Sequence, residues 1–373
     1  MAVARCPATA LLLGAGLLAL TAIAALLRAP GQQGARERTE ASAVRAEFLS
    51  HGASPAPAAA ERAASRPGCG ARAPAGGNVT VAEALTRCGR LVVLRNHRTF
   101  DGVADALHAA LGEAGVPRVG VADAVDPAGN ASATYLIFTA HLGGALPRSY
   151  VAYNLEQLTA RDWPEDLFER LRGAELVLDY SLANIAVLRR RGVARVVHLP
   201  LGYAPALDNP APPARERDVD VAFVGWLSSP RRQARLVSVA ASARPALRVV
   251  FTESHFGAEL HALLRRTRLA LNLHFHDGPS ILEVHRILPT LASRVLVLSE
   301  PSDDPWWDAR LAEIGAVNFT PRGAADIGAP VLAMLRQYGD GAAEAERRFQ
   351  RLRECCAYAR FVRAALASTI PAG

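Results

Sequence analysis

The chain has 373 residues, of which 50% are hydrophobic and 21% charged, a composition typical of a globular protein with a buried core. Its formal net charge is +7, and all 42 basic residues are arginine. The absence of lysine excludes P-loop nucleotide hydrolysis, Schiff-base catalysis and lysine-dependent kinase chemistry, since each needs an ammonium group. Aromatic residues make up only 6% and are scattered, so no nucleic-acid-binding surface is predicted.

The N-terminal region contains a run of 20 uncharged residues, 8–27, which is long enough to cross a bilayer as one helix. Because the run exceeds the apolar part of a typical cleaved signal peptide, residues 1–28 predict a signal anchor that binds the membrane. Residues 29–77 are rich in Ala, Gly, Pro, Arg and Ser and lack apolar periodicity. This composition predicts a flexible stem.

Three glycosylation sequons and a cysteine pair favour a lumenal body. The sequons begin at Asn78, Asn130 and Asn318, and the last is the poorest because Pro321 follows it. Cys69 and Cys88 are a candidate disulfide, which would suit an oxidising compartment. Together with the anchor, these features predict a single-pass type II membrane glycoprotein of the Golgi or endoplasmic reticulum.

The next part of the chain, 78–203, alternates apolar runs with helical spacing, which predicts an α/β domain with a doubly wound sheet. Strands are predicted at 91–94, 118–122, 134–138, 149–153, 175–179 and 195–199, and helices at 102–114, 164–172 and 182–191. The polar, proline-rich stretch 204–217 predicts an interdomain linker.

A second alternating half, 218–345, predicts another α/β domain of the same type. Its strands are predicted at 219–224, 247–252, 268–274, 294–298 and 315–319, and its helices at 230–242, 257–265, 281–292 and 324–337. A long terminal helix is predicted at 343–367, and residues 346–373 are assigned to this C-terminal helical segment. Ligands of open α/β sheets bind at the carboxyl ends of the strands, so two such halves predict a ligand cleft between them.

Several motifs occur in a set order along the second half. They are Asp220–Trp226 with Ser228–Arg232, then Leu271–Ser280, and then Leu282–Leu288 followed by Val295–Glu300. In this order and spacing the chain resembles the donor-binding domain of group 1-like glycosyltransferases of the GT-B fold, with their E-x-x-R-I … SE unit. The resemblance covers about residues 195–340. Upstream, Tyr153–Gln157 and Leu199–Tyr203 are similar to segments of the N-terminal half of the same proteins.

The resemblance implies an enzyme that moves a sugar from a UDP- or GDP-sugar to a glycan, protein or lipid acceptor without a metal. The implied donor-binding residues are Gly225, Arg231, Arg232, His274, Ser280, Glu283, Arg286 and Glu300. A helix that began near Ser280 would direct backbone N–H groups at a diphosphate. Glu283 would accept hydrogen bonds from sugar or ribose hydroxyls, and Arg286 would bind phosphate oxygens.

A catalytic base is needed if the transfer inverts the sugar's configuration, and it should lie on the first domain across the cleft. His97, His141 and Glu156 each follow a predicted strand of that domain and are the candidates.

The chain departs from the better-known retaining branch of the family. Pro289 stands where a second glutamate is expected, Ser293–Arg294 replaces a glycine, and the diphosphate-binding lysine is missing. Arg231, Arg232 or Arg286 must therefore take the role of the lysine. These departures favour an alternative, a GT-B-like lumenal binding protein without turnover.

Two alternatives involve a metal ion. Asp218-Val219-Asp220 matches the DxD string of metal-dependent transferases. His274, His276 and Asp277, with His285, form a possible zinc cluster, because residues two apart on a strand share a face.

Overall fold

The computed structural model describes residues 79–127, 132–138, 146–210, 217–243, 247–253, 255–339 and 341–370. This part of the chain contains two parallel sheets with helices packed against them, which confirms the predicted α/β class. Within these ranges, no helix has both the length and the apolar character needed to cross a membrane. The predicted anchor and stem lie outside the described residues.

The N-terminal lobe is built on a six-stranded parallel sheet with the order β3-β2-β4-β5-β6-β7. After the short strand β1 (Val79–Thr80) come β2 (Leu91–Leu94), β3 (Val119–Ala122), β4 (Thr134–Phe138), β5 (Tyr150–Asn154), β6 (Leu176–Asp179) and β7 (Val196–His198). The helices are α1 (Val81–Thr86), α2 (Asp101–Glu113), α3 (Glu165–Gly173) and α4 (Leu182–Arg190). Every residue of β2, β4, β5 and β6 is buried, as expected for strands covered on both faces.

The C-terminal lobe has a five-stranded parallel sheet with the order β12-β11-β10-β8-β9. Its strands are β8 (Val219–Val224), β9 (Val249–Thr252), β10 (Thr267–Asn272), β11 (Leu296–Ser299) and β12 (Asn318–Phe319). Its helices are α5 (Pro230–Ser242), α6 (Gly257–Arg266), α7 (Val284–Ala292), α8 (Pro305–Glu313) and α9 (Gly328–Tyr338). The chain then ends in α10 (Ala342–Cys355), α11 (Tyr358–Leu366) and β13 (Thr369–Ile370), which pairs with β1.

The terminal helix predicted at 343–367 is two helices, because the backbone leaves the helical conformation at Cys356 and forms hydrogen bonds with Tyr203. Tyr203 donates its N–H to the carbonyl of Cys356 at 2.9 Å, and Tyr358 donates to the carbonyl of Tyr203 at 2.7 Å. After this break α11 packs on α2 and α1 of the N-terminal lobe. The adjacent Cys355 and Cys356, to which the sequence assigned no role, are bonded to each other.

One hydrophobic core runs through both lobes. It joins buried residues of β2, β4, β5 and α2 to buried residues of α7, α8, α10 and α11. Ile281 and Leu282, just before α7, and Tyr153 and Tyr180, at the ends of β5 and β6, all belong to it. Extensive apolar contact between domains opposes large relative motion. The sheet edges of the two lobes are therefore held in fixed positions relative to each other.

The structure also bears on the features that favoured a lumenal body. Asn318 lies in β12, and its Oδ1 accepts a hydrogen bond from Arg348 Nη1 at 2.5 Å, so this amide is already engaged. Asn78, Asn130 and Cys69 lie outside the described residues, as do residues 211–216 of the predicted linker, which has a short 3-10 turn at Pro205–Leu207 near its beginning. The lumenal assignment and the cysteine pairing stay predictions.

We expect Gly202→Ala to destabilise the protein by about 1–3 kcal/mol, because overpacking of this size forces backbone shifts. A Cβ at Gly202 would lie 2.5 Å from the Cα of Tyr358, at the crossing of the two connections between the lobes. Gly112→Ala is the matched control, because nothing lies within 4 Å of its added Cβ in α2. Chemical unfolding should show the control to be unchanged or more stable, and equal stability of the two variants would contradict this account of the crossing.

Candidate functional site

The strand order of each sheet reverses direction at one point, between β2 and β4 in the first lobe and between β8 and β10 in the second. A crevice for ligands opens outside the carboxyl ends of the strands at such a point. In the first lobe Asn96 bridges this edge, with its Nδ2 2.6 Å from the carbonyl of Phe138. In the second lobe the edge consists of the segments after Val224 and Asn272.

Arg286 lies directly over Gly225 at the end of β8. A Cβ at Gly225 would meet Nη1 of Arg286 at 2.1 Å, so only glycine admits the guanidinium here. Nη1 donates to the carbonyl of Val224 at 2.8 Å, and Nε lies 3.2 Å from the carboxylate of Glu283. The side chain of Arg286 is 30% exposed. The structure thus brings together three predicted donor-binding residues, Gly225, Glu283 and Arg286.

Glu283 and Arg232 form a buried ion pair beside this arginine. Arg232 Nη2 lies 3.1 and 3.3 Å from the two carboxylate oxygens of Glu283. Arg232 also donates through Nε to the carbonyl of Leu273 and through Nη1 to that of Trp226. Its side chain is 1% exposed. Arg232 therefore links the segments that follow β8 and β10 to Glu283, and each of its three guanidinium nitrogens has a partner.

Burial and charge act in opposite directions on these groups. Burial raises the pKa of Glu283, but Arg286 and Arg232, with His285 and His274, outweigh it and lower that pKa to about 2. Burial lowers the pKa of Arg232 to about 10, although Glu283 opposes the shift. Both groups remain ionised at neutral pH.

A second ion cluster surrounds Glu300, at the end of β11. Arg231 makes a bidentate pair with its carboxylate at 2.5 and 2.7 Å, and Arg235 donates to it through Nε. His274 donates its backbone N–H to Glu300 at 2.8 Å, while its ring Nε2 lies 3.1 Å from the carbonyl of Pro301. Arg231, Glu300 and His274 are thus together, as the predicted site requires, but largely paired with one another.

The prediction that a helix begins near Ser280 is wrong, because α7 begins at Val284. The preceding N–H groups have other partners. Ser280 donates its N–H to Asp303 at 2.9 Å, and Ile281 donates to Oε1 of Gln157, in the N-terminal lobe, at 2.9 Å. These tertiary contacts hold the segment extended, so Ser280 does not offer a free helix N-terminus to an anion.

Glu156 lies in the loop after β5, and buried amides fix that loop. Asn154 Nδ2 donates to Asp179 at 2.6 Å, and Asn184 Nδ2 donates to the carbonyl of Glu156 at 2.7 Å. Asn184 Oδ1 accepts from the N–H of Leu158 at 2.8 Å. Burial raises the pKa of Asp179 to about 8, so this carboxyl is mainly neutral at pH 7.

The carboxyl of Glu156 has a pKa close to neutral pH. Burial raises its pKa to about 7, Arg161 opposes the shift, and the charge of Glu283 in the facing lobe adds to it. A carboxyl with such a pKa can take up or release a proton at physiological pH. Glu156 is therefore the predicted base whose electrostatic setting best suits proton transfer.

His97 caps the short 3-10 turn that follows β2, and its Nδ1 accepts from the N–H of Thr99 at 3.3 Å. Burial, aided by Arg98, lowers the pKa of His97. Its ring lies 6.1 Å from that of Phe100, which in turn lies 5.7 Å from His285 in the facing lobe. His97 is thus at the predicted edge. His141 lies outside the described residues.

No protein-family model and no curated protein sequence matches this chain. Solved structures do match. HepE from Anabaena in complex with UDP-glucose has a TM-score of 0.54 at 13% identity, over 74% of this chain and 98% of HepE. The complex of HepE with UDP and glucose has a TM-score of 0.52 at 12% identity, over 73% of this chain and 96% of HepE. The likeness shows the fold, and it supports the GT-B arrangement that the motifs predict.

The geometry does not favour the metal-dependent alternatives. Asp218 precedes β8 and Asp220 lies near its beginning, at the edge of the sheet opposite the carboxyl ends of the strands. Their carboxylates pair with Arg266 and Arg248 and with Arg268, respectively. Among the described residues, no three His, Cys, Asp or Glu side chains are grouped so as to hold a metal ion.

Sequence reasoning missed three residues of the site, Arg235, Asp303 and Asp304. Arg235 follows Arg231 by four positions on α5, so helical spacing would have placed both on one face. Asp304 stands before Pro305, and its Oδ1 accepts from the N–H of Trp306 as an N-cap does. Its contacts with Ser181 and Ala183 in the other lobe have no signal in the sequence.

We expect Glu283→Gln to destabilise the fold by about 3–5 kcal/mol, because it leaves the buried guanidinium of Arg232 without a counter-charge. Glu165→Gln is the control, since Glu165 is exposed and its pairs with Arg172 and Arg191 should contribute at most about 1 kcal/mol. Denaturant unfolding at pH 7 measures both.

In Glu283→Gln the free energy of unfolding should also depend less on pH in the acidic range. In the wild type the pKa of Glu283 is about 2, against an ordinary 4.5, so its ionised carboxylate stabilises the protein above pH 4.5. This contribution is lost as the pH falls toward 2. Equal loss of stability at pH 7 in Glu283→Gln and Glu165→Gln would contradict the ion-pair account.

Proposed function

We propose that this protein is a glycosyltransferase that moves a sugar from a nucleotide-sugar donor to a hydroxyl of a glycan, protein or lipid acceptor. The observation that supports the proposal is the position of the Arg286 guanidinium directly over Gly225. This partly exposed guanidinium lies where ligands of open α/β sheets bind. Its Nη2 makes no hydrogen bond within the described ranges, so it is available to a phosphate oxygen.

The donor is proposed to be a UDP-sugar, with a GDP-sugar as the alternative. HepE, which shares the fold, binds UDP and UDP-glucose, and this makes UDP-glucose the first donor to test. Arginine must supply the positive charge on the diphosphate, because the chain has no lysine. The role of Ser280 beside the diphosphate and that of Glu283 toward sugar or ribose hydroxyls stay predictions.

Glu156 is proposed as the base of an inverting transfer. As the acceptor oxygen forms its bond to the anomeric carbon, its proton passes to the carboxylate of Glu156. The bond between that carbon and the phosphate oxygen breaks, and the nucleoside diphosphate leaves with the electron pair. Arg286 stabilises the charge that develops on this leaving group.

We expect UDP or UDP-glucose at 100 times its dissociation constant to stabilise the protein by about 2.7 kcal/mol. The full-length protein in detergent should show this as a rise in melting temperature, with adenine and cytidine nucleotide sugars as controls. Arg286→Met should remove most of the rise, and release of UDP from UDP-glucose should then be measured. Binding without release or transfer would favour the non-catalytic binding protein, and a flat response to every nucleotide sugar would refute the proposal.

The transfer rate should rise with pH through about 7, because Glu156 acts in its ionised form and its pKa is raised to about 7. Glu156→Gln should lower kcat by about 10²–10⁴, the usual contribution of a positioned base. It should leave the Kd for UDP nearly unchanged and remove the rise with pH. An unaltered pH profile in this variant would exclude Glu156 as the base.

We further propose that the body is lumenal in the Golgi or endoplasmic reticulum and is anchored by residues 8–27. The support is the apolar N-terminal run together with the sequons at Asn78 and Asn130. Treatment of the cell-expressed protein with an N-glycosidase should increase its mobility, and Asn78→Gln with Asn130→Gln should remove that effect. A wild-type protein without any glycan would count against this location.

A further inference from the structure

Most arginines at the edge of the C-terminal lobe are occupied by protein groups. Arg231 and Arg235 pair with Glu300, and Arg232 pairs with Glu283 beneath the edge. Of these four side chains Arg286 is the most exposed, at 30%, and its Nη2 has no hydrogen-bond partner within the described ranges. A nucleotide diphosphate carries at least two negative charges, and without lysine or a metal a single guanidinium leaves part of that charge unmatched.

A loop of the N-terminal lobe, 157–163, lies against the donor-binding edge. Gln157 Oε1 accepts from the N–H of Ile281 at 2.9 Å. The carbonyl oxygen of Ala160 lies 3.8 Å from the position of a Cβ on Gly278. The residue after Ala160 is Arg161, so this arginine begins at the boundary between the lobes.

The side chain of Arg161 is exposed and stacked. Its guanidinium carbon lies 3.9 Å from the ring centre of Trp163. Trp163 is buried and donates through Nε1 to the carbonyl of Gln157 at 3.1 Å, so the stacking surface is fixed. Within the described ranges, no carboxylate lies within 4.0 Å of the Arg161 guanidinium. Stacking thus orients a cation whose donors stay open to a ligand.

The charge of Arg161 acts on groups from both lobes. It opposes the rise in the pKa of Glu156, and it helps burial to lower the pKa of His276. His276 lies in the loop after β10, beside Gly278. These effects agree with the backbone contacts in locating Arg161 between the proposed base and the donor-binding loop.

We propose that Arg161 is a second anion-binding residue, which binds the donor diphosphate from the N-terminal lobe while Arg286 binds it from the C-terminal lobe. The inference rests on the proposed nucleotide-sugar function and adds a residue to it. An anionic group on the acceptor is the other ligand that this cation would suit. The diphosphate is favoured because the Arg161 loop contacts the donor-binding lobe at Gly278 and Ile281.

The test is titration calorimetry of the full-length protein in detergent with UDP, GDP and uridine. Arg161→Met should weaken binding of the nucleotide diphosphate by about 10- to 100-fold, the usual loss for one charge-assisted hydrogen bond. Arg161→Lys should recover part of that loss. Uridine has no phosphate, so its affinity should be the same in Arg161→Met as in wild type.

Arg190→Met is the control, because Arg190 is an exposed arginine at the end of α4 and makes no ion pair within the described ranges. It should bind UDP like wild type, and all variants should unfold at the wild-type temperature without ligand. An unchanged UDP affinity in Arg161→Met would overturn the inference, even if the KM for the acceptor rose. Absence of UDP and GDP binding in wild type would instead refute the proposed function.

Discussion

The carboxylate of Glu283, held between Arg232 and Arg286, is the interaction on which the candidate site depends. Arg232 is buried and Arg286 is partly exposed, and one carboxylate pairs with both. A buried guanidinium without a counter-charge is costly, so Glu283 must be ionised for the edge to keep its shape. The same carboxylate orients the partly exposed guanidinium of Arg286 over Gly225, and its charge adds to the burial that raises the pKa of Glu156 in the facing lobe.

The second constraint is the hydrophobic core that both lobes share. Because Ile281 and Leu282 pack with Tyr153 and Tyr180 in that core, the donor-binding edge and the loop of Glu156 are held at a fixed separation. The charge of Glu283 acts on Glu156 only because this packing keeps the two lobes close. In a chain without lysine this rigidity favours phosphate binding, since a planar guanidinium binds phosphate well only in the correct orientation.

Much of the fold was predictable because local patterns encode it. Continuous apolar runs marked the buried parallel strands, and the helix predicted at 230–242 does begin at Pro230, after the N-cap Ser229. The prediction failed where distant groups compete for the backbone. Asp303 and Gln157 hold the segment before α7 extended, and Tyr203 interrupts the terminal helix at Cys356. Helix α8 was missed because its short, Trp-rich sequence lacks a clear apolar stripe.

The sequence alone determined the α/β class, the glycine at the end of β8, the helical spacing of Glu283 and Arg286, and the fact that arginine is the permanently charged side chain available to an anion. Only the tertiary structure decided which arginines are available. Arg231 and Glu300 are 69 positions apart, and Arg232 and Glu283 are 51 apart, so no local pattern reveals their pairing. Helical and strand preferences act between near neighbours in the chain, whereas ion pairing, burial and pKa depend on distances that exist only after the two sheets have packed together.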